Sequence, residues 1–216
     1  MSKIDLKNIS HSYNPNDPNP TYALNPFSMT WENGKRYAIL GPSGCGKTTM
    51  LNIVSGLVRP SAGNILFDDK DVTNLKTESR NIAQVFQFPV IYNTMTVYEN
   101  LAFPLKCRDF LKDKIEERVN SVADTLNLKS FLNSPARKLT ADQKQLISLG
   151  RGLVREDVAA VLMDEPLTVI DPDLKFRLRR KLKEINEEFK TTLVYVTHDQ
   201  NEAMTFADNI IVMSEG

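Results

Sequence analysis

The stretch Gly41-Pro42-Ser43-Gly44-Cys45-Gly46-Lys47-Thr48 constrains this chain more than any other. It follows a strand-like apolar run, Lys35 to Leu40, and leads into a helical pattern with Met50, Ile53, Val54 and Leu57 on one face. A GxxxxGK[ST] loop between a strand and a helix is a phosphate cradle and commits the chain to an α/β architecture. The glycines let backbone N–H groups converge on phosphate oxygens, and the helix N-terminus adds a favourable dipole. Lys47 reaches terminal phosphates, and Thr48 is placed to ligate Mg²⁺. Thr49 extends the binding loop, and Cys45 reads as a small filler rather than a nucleophile. A chance glycine turn is the bland alternative, and the strand before and helix after it argue against that.

Other segments fit around this loop. Lys3 to Ser10 reads as an early strand, and Asn64 to Phe67 and Asn81 to Phe86 as further strands between polar turns. Arg59-Pro60-Ser61-Ala62-Gly63 is expected to end the first helix. From about Thr96 to Val154 the pattern turns helical, with Ile115, Val119, Val122 and Leu126 on one face. Val158 to Met163, Thr191 to Val196 and Asn209 to Met213 are near-continuous apolar runs, as in strands buried in a parallel sheet.

Val158 to Met163 ends in Asp164-Glu165, which sets two carboxylates at the sheet's carboxyl edge beside the phosphate loop. Such a pair alone can be a helix cap. With the phosphate loop, Asp164 reads as a Mg²⁺ holder, and Glu165 as the base that polarises water attacking a terminal phosphate.

Composition narrows the partners. Lys and Arg number 27, as do Asp and Glu, so no basic excess suggests a nucleic-acid groove. Cys45 and Cys107 have neither CxxC nor metal-ligand spacing, which points to a reducing, cytoplasmic setting. No apolar run reaches the ~20 residues of a membrane span, and Met1 to Ser10 lacks a signal-peptide core. Membrane contact is therefore expected through a partner.

Taken together, these motifs make the chain resemble an ABC transporter nucleotide-binding domain along essentially its whole length. The resemblance implies a RecA-like P-loop NTPase core with an antiparallel β subdomain and an inserted α-helical subdomain. On that pattern residues 1–216 form one ATPase domain, with 1–87 and 155–216 the β subdomain and core, and 88–154 the helical lobe. Gln87, in Val85-Phe86-Gln87, resembles the glutamine that joins core to lobe and senses Mg²⁺, water and the membrane partner; a polar strand end is its bland reading. His198 resembles the switch histidine that bonds the terminal phosphate. Asp171 resembles the aspartate that contacts the opposing subunit, and is equally a helix N-cap ahead of Pro172, Leu174, Leu178, Leu182 and Ile185. Tyr13 resembles the aromatic that stacks on adenine, with an ordinary surface tyrosine as the alternative. His11 has no motif support and is expected to face solvent.

One motif departs from the family. Where the family writes LSGGQ, this chain has Leu139-Thr140-Ala141-Asp142-Gln143. Thr140 and Gln143 still suit a capping box ahead of Leu146, Leu149 and Leu153. Both glycines are gone, and Asp142 adds an anion where the family's loop meets the opposing subunit's terminal phosphate. The resemblance thus implies an ATP- and Mg²⁺-dependent ATPase, working as a dimer at the cytoplasmic face of the membrane. A second, non-identical ATPase is the favoured dimer partner and a homodimer the alternative.

Phe86 to Leu105 resembles the segment of sugar, polyol and glycerol-phosphate uptake ATPases that touches transmembrane permease subunits, which a solute-binding protein serves from outside. LTADQ together with DEPLTVIDP resembles ATPases of glycerol importers that pair two different nucleotide-binding subunits. Such proteins usually continue into a regulatory barrel, and with the sequence stopping at Ser214-Glu215-Gly216 that domain is expected to be missing. Two other classes fit less well. ABC ATPases of chromosome maintenance insert long coiled coils between phosphate loop and signature, and those of translation carry two such domains in one chain. A regulatory subunit that only binds nucleotide is expected to lose Lys47, Glu165 or His198, and all three are present.

Overall fold

A computed structural model describes residues 2–216 as two sheets and six α-helices. The antiparallel sheet contains β1 (Ile4–Ser12), β2 (Tyr22–Trp31), β4 (Ala62–Phe67) and β5 (Lys70–Asp71), in the order β2-β1-β4-β5. The parallel sheet contains β3 (Arg36–Leu40), β6 (Ile82–Val85), β7 (Ala160–Asp164), β8 (Thr192–Thr197) and β9 (Asn209–Val212), in the order β6-β7-β8-β3-β9. All five residues of β7 and all six of β8 are buried, as the near-continuous apolar runs require of central parallel strands.

Strand β2 has no counterpart in the sequence reading, because Pro26 interrupts the alternation of Leu24, Phe27, Met29 and Trp31. Proline cannot donate to a ladder, but β2 is an edge strand and tolerates it. The expectation for His11 also fails, for this side chain is buried in β1. Register shifts on either side of it, between Ile9 and His11 and between His11 and Ser12, break the alternation and turn Ile9 to Ser12 inward together.

Helix α1 (Lys47–Ser55) starts directly at the phosphate loop. It ends earlier than expected, at Gly56, whose φ of 84° supplies the left-handed C-cap. Buried Arg80 then caps the helix, its Nη1 donating to the carbonyls of Ile53 and Val54 at 2.7 and 3.0 Å. Leu57 therefore lies past the helix and half exposed, whereas Met50, Ile53 and Val54 are buried.

Helices α2 (Val97–Lys106), α3 (Lys112–Thr125) and α4 (Ala141–Leu153) pack on one another. Ile115, Val119, Val122 and Leu126 are all buried, as their spacing indicated. Thr96 with Glu99 caps α2, and Thr140 with Gln143 caps α4, each as a reciprocal capping box. Helix α5 (Pro172–Phe189) is capped by Asp171, which accepts from the Leu174 N–H at 2.9 Å, and buries Leu178 and Leu182. A short α6 (Gln200–Phe206) follows β8. One apolar cluster joins α2, α3 and α4 to β6, β7 and β8, and a second fills the space between α1, the antiparallel sheet and the other face of the parallel one.

The position of Leu57 is open to test by denaturation. Leu57→Ala should change stability by no more than about 0.5 kcal/mol. Met50→Ala, inside the second cluster, should cost about 2–5 kcal/mol.

Candidate functional site

Parallel pairing brings four strand ends together. Leu40 pairs with Thr197, Asp164 with Val196, and Val85 with Met163, so β3, β8, β7 and β6 finish side by side. The next residues along these strands are the phosphate loop, His198, Glu165 and Phe86-Gln87. Ligands of open α/β sheets bind at this carboxyl edge.

A cavity of about 370 Å³ opens there, lined by Tyr13, Ala23, Ser43, Gly44, Gly46, Lys47, Thr48, Thr49, Gln87, Asp164 and Glu165. Gly44 and Gly46 both adopt left-handed φ values, 84° and 96°, and the latter forms the turn into α1. The Lys47 ammonium is buried and donates to the carbonyls of Gly41 and Pro42 at 2.8 and 2.7 Å, so the loop's own backbone fixes its position. Cys45 is buried, with Sγ 3.9 Å from Lys47 Nζ, consistent with a filler.

Thr48 donates its hydroxyl to Asp164 Oδ2 at 2.8 Å, bridging α1 and β7. Burial raises the Asp164 carboxyl above its ordinary pKa, the Thr48 bond opposes this, and the charge of Glu165 adds to the rise. No group of three His, Cys, Asp or Glu side chains suited to a metal occurs among the described residues. One carboxylate and one hydroxyl at hydrogen-bond distance nevertheless fit Mg²⁺, which takes few protein ligands and completes its shell with phosphate oxygens and water.

Glu165 adopts φ 44°, a left-handed conformation that is strained for any residue except glycine. Its N–H donates to the Val196 carbonyl at 3.1 Å, and the Thr168 hydroxyl donates to the Glu165 carbonyl at 2.9 Å. Both contacts hold this conformation. Glu165 Oε2 lies 3.3 Å from His198 Nδ1, the carboxylate mostly buried and the imidazole mostly exposed.

Tyr13 stands exposed at the cavity's edge, its hydroxyl 3.0 Å from that of Thr49. His11 packs edge-on against it with ring centroids 4.6 Å apart, and burial lowers the imidazole's pKa. The remaining expected residues lie apart from the cavity. Thr140, Ala141, Asp142 and Gln143 open α4, and Asp171 caps α5.

Two groups near the site have no counterpart in the sequence reading. Ala23 belongs to the hidden strand β2, and its carbonyl would clash with any side chain at Gly46. Gln145, buried in α4, donates to the carbonyls of Phe86 and Pro166 at 3.4 and 2.8 Å, tying α4 to the segments beside Gln87 and Glu165.

A family model described as ABC transporter matches residues 24–168, more than half of the chain. The chain belongs to the ABC transporter family. Among curated relatives of this family, an sn-glycerol-3-phosphate import ATP-binding protein of Pectobacterium atrosepticum is 40% identical over all 216 residues. Its namesake in Cupriavidus metallidurans is 41% identical over the same span. The chain spans 59% and 58% of those two proteins. Of solved structures, the dimeric ATP-binding cassette MJ0796, bound to ADP and Pi in a post-hydrolysis state, superposes with a TM-score of 0.88 at 29% identity, covering 99% of this chain and 95% of that one. The cbiO1 subunit of the Clostridium perfringens cbiONQ transporter gives 0.86 at 27% identity, covering 99% and 85%. The ABC ATPase fold expected from the motifs is thus the fold observed.

The raised Asp164 pKa has a measurable consequence. A carboxylate whose folded pKa exceeds its unfolded one opposes folding while ionised, and the opposition disappears as pH falls through the folded value. Asp164→Asn should therefore raise the thermal midpoint of the nucleotide-free chain at pH 7, at about 2–4 °C per kcal/mol for this size. The gain should fade as the solution is acidified toward the ordinary value of 3.8 and be gone below it. A midpoint lowered at pH 7 would contradict this account of the charge.

Proposed function

We propose that this chain binds and hydrolyses ATP to power an ABC importer. The observation that carries the reading is the convergence, on one cavity at the sheet's carboxyl edge, of Lys47, the Thr48–Asp164 pair and Glu165, which His198 contacts. In this reading Tyr13 stacks on adenine, and the loop from Gly41 to Thr49 holds the phosphates through backbone N–H groups and Lys47. Thr48, Asp164 and Gln87 would hold Mg²⁺, which when bound would screen the charge on the phosphate oxygens. Glu165, strained into a fixed direction, accepts a proton from attacking water, and His198 orients Glu165 and contacts the terminal phosphate.

The import assignment draws on the relatives named for sn-glycerol-3-phosphate import, and the cargo class proposed is glycerol phosphate, glycerol, a polyol or a sugar. No described helix is long and apolar enough to cross a membrane. Transport then requires transmembrane permease subunits, with this chain peripheral on their cytoplasmic side and an external solute-binding protein delivering cargo. Phe88, Val90 and Tyr92, exposed between β6 and α2, offer the permeases an apolar contact.

The altered signature bears on the second ATPase. A bare helix N-terminus attracts phosphate, because its N–H groups lack partners. At α4, Gln143's N–H already bonds the Thr140 hydroxyl, Thr140's N–H bonds the Gln143 side chain, and Asp142 adds negative charge in the first turn. A second anion ~4 Å away would be repelled by about 1 kcal/mol in water and about 4 kcal/mol at an effective dielectric near 20. A homodimer's two-fold axis would set this defect against both nucleotides. Pairing with a non-identical ATPase bearing an intact glycine signature confines it to one, leaving this chain's Lys47 and Glu165 to form the active site.

Affinity capture from native membranes tests the assembly and the chemistry together. The expected co-purifying proteins are permease subunits and a second ATPase, and Glu165→Gln in that complex should retain ATP affinity while losing about 10²- to 10⁴-fold in turnover. Unchanged turnover would remove Glu165 from the role of base. A complex holding only copies of this chain, equally active at two sites, would overturn the heterodimer.

A further inference from the structure

A second constellation of charge lies behind the site, on residues that the proposed chemistry does not use. Glu202, buried on α6, is 8% exposed. Its Oε2 accepts the Thr197 hydroxyl at 2.8 Å and the Tyr195 hydroxyl at 3.0 Å, both from β8. Its Oε1 accepts Arg179 Nη1 at 3.2 Å and faces Lys175 Nζ at 3.7 Å, both from α5. An ionised carboxylate under so little solvent is tolerable only when paired in this way.

The same carboxylate closes a ring around His198. Thr197 donates its hydroxyl to Glu202. That hydroxyl oxygen in turn accepts the Asp199 N–H at 3.0 Å, and the Asp199 carboxylate accepts the Glu202 N–H at 3.1 Å. His198 lies between Thr197 and Asp199, so both its chain neighbours are fixed while its own side chain stays exposed. Among the described residues, its only side-chain partner is Glu165. Arg179 and Lys175 meanwhile tie the ring to the first two turns of α5, directly after the cap at Asp171. An exposed imidazole on a short loop would otherwise sample many directions, and misplacement by about 1 Å can cost about 100-fold in rate.

We infer that Glu202 is a positioning residue, which holds the His198 loop in its working direction and links it mechanically to the α5 segment beginning at Asp171. The inference rests on the reading of His198 and Glu165 given above. Glu202 touches no substrate, and its effect on turnover passes through His198.

A double-mutant cycle on the native complex, with Glu202→Ala and His198→Ala, tests this. Turnover and the affinity for ATP are both measured. Glu202→Ala alone should lower kcat by about 10- to 100-fold, with ATP affinity and thermal midpoint within the range that still leaves the complex folded and saturable. In the His198→Ala background the same change should lower kcat by less than about 2-fold. Glu202→Gln, which keeps the shape and whose amide oxygen can still accept the Thr197 hydroxyl, should lose less of the rate than Glu202→Ala. If Glu202→Ala does not assemble, Thr197→Val carries the same cycle, because it breaks the ring yet leaves the charge paired. Equal losses from the ring variant with and without His198 would overturn the inference. If His198→Ala and Glu165→Gln themselves leave turnover unchanged, the functional reading fails instead, and the two failures are thereby told apart.

Discussion

The parallel pairing of β3 with β8, and of β8 with β7, is the constraint on which the rest of the site depends. Backbone hydrogen bonds at a fixed register place Leu40, Thr197 and Asp164 at one edge, so three loops distant in sequence start within about 10 Å of one another. The burial of β7 and β8 on both faces makes a slip costly, because their apolar side chains would leave two clusters at once. The pairing therefore supplies the precision, while the loops supply the functional groups. Glu165 shows the link most directly, since a hydrogen bond to Val196, in the neighbouring strand, helps hold its strained backbone.

The site is also held in electrostatic tension. Lys47 is buried against two carbonyls, Asp164 is buried with its ionised form disfavoured, and Glu165 adds like charge nearby. A polyphosphate accompanied by a divalent cation matches that arrangement. The phosphates answer the lysine and the converging N–H groups, and the cation answers the carboxylate. The signature end of α4 is built in the opposite sense, with the Gln143 N–H capped by Thr140 and Asp142 already present. This contrast within one chain is what motivates a partner of different sequence.

What could be read from the sequence follows the range of the interactions involved. The phosphate loop, the Asp164-Glu165 pair and the helices spaced by three and four residues are local patterns, and the structure reproduces each of them. Longer-range effects were hidden. Helix α1 stops at Gly56, itself a local signal, but the Arg80 guanidinium that caps the freed Ile53 and Val54 carbonyls comes from well downstream, where no helical period reveals it. Pro26 hid β2, whose edge position makes the proline harmless. His11 is turned inward by irregular register, not by its own chemistry. The Glu202 ring draws donors from α5 and β8, so no motif could have announced it. The juxtaposition of Tyr13, Gln87 and the phosphate loop around one cavity was expected from family resemblance alone, because residue spacing says nothing about which sheet edges meet.

The central claim is that the cavity above α1 holds the terminal phosphates of ATP through Lys47 and the loop around it. Calorimetric titration of the chain and of Lys47→Ala with ATP and with AMP addresses it directly. A charge-assisted hydrogen bond is worth about 1.5–3 kcal/mol, so ATP affinity should fall by roughly 10- to 150-fold in the variant. AMP, which lacks those phosphates, should bind both proteins equally weakly. Equal ATP affinity in the two proteins, with both still folded, would contradict the account.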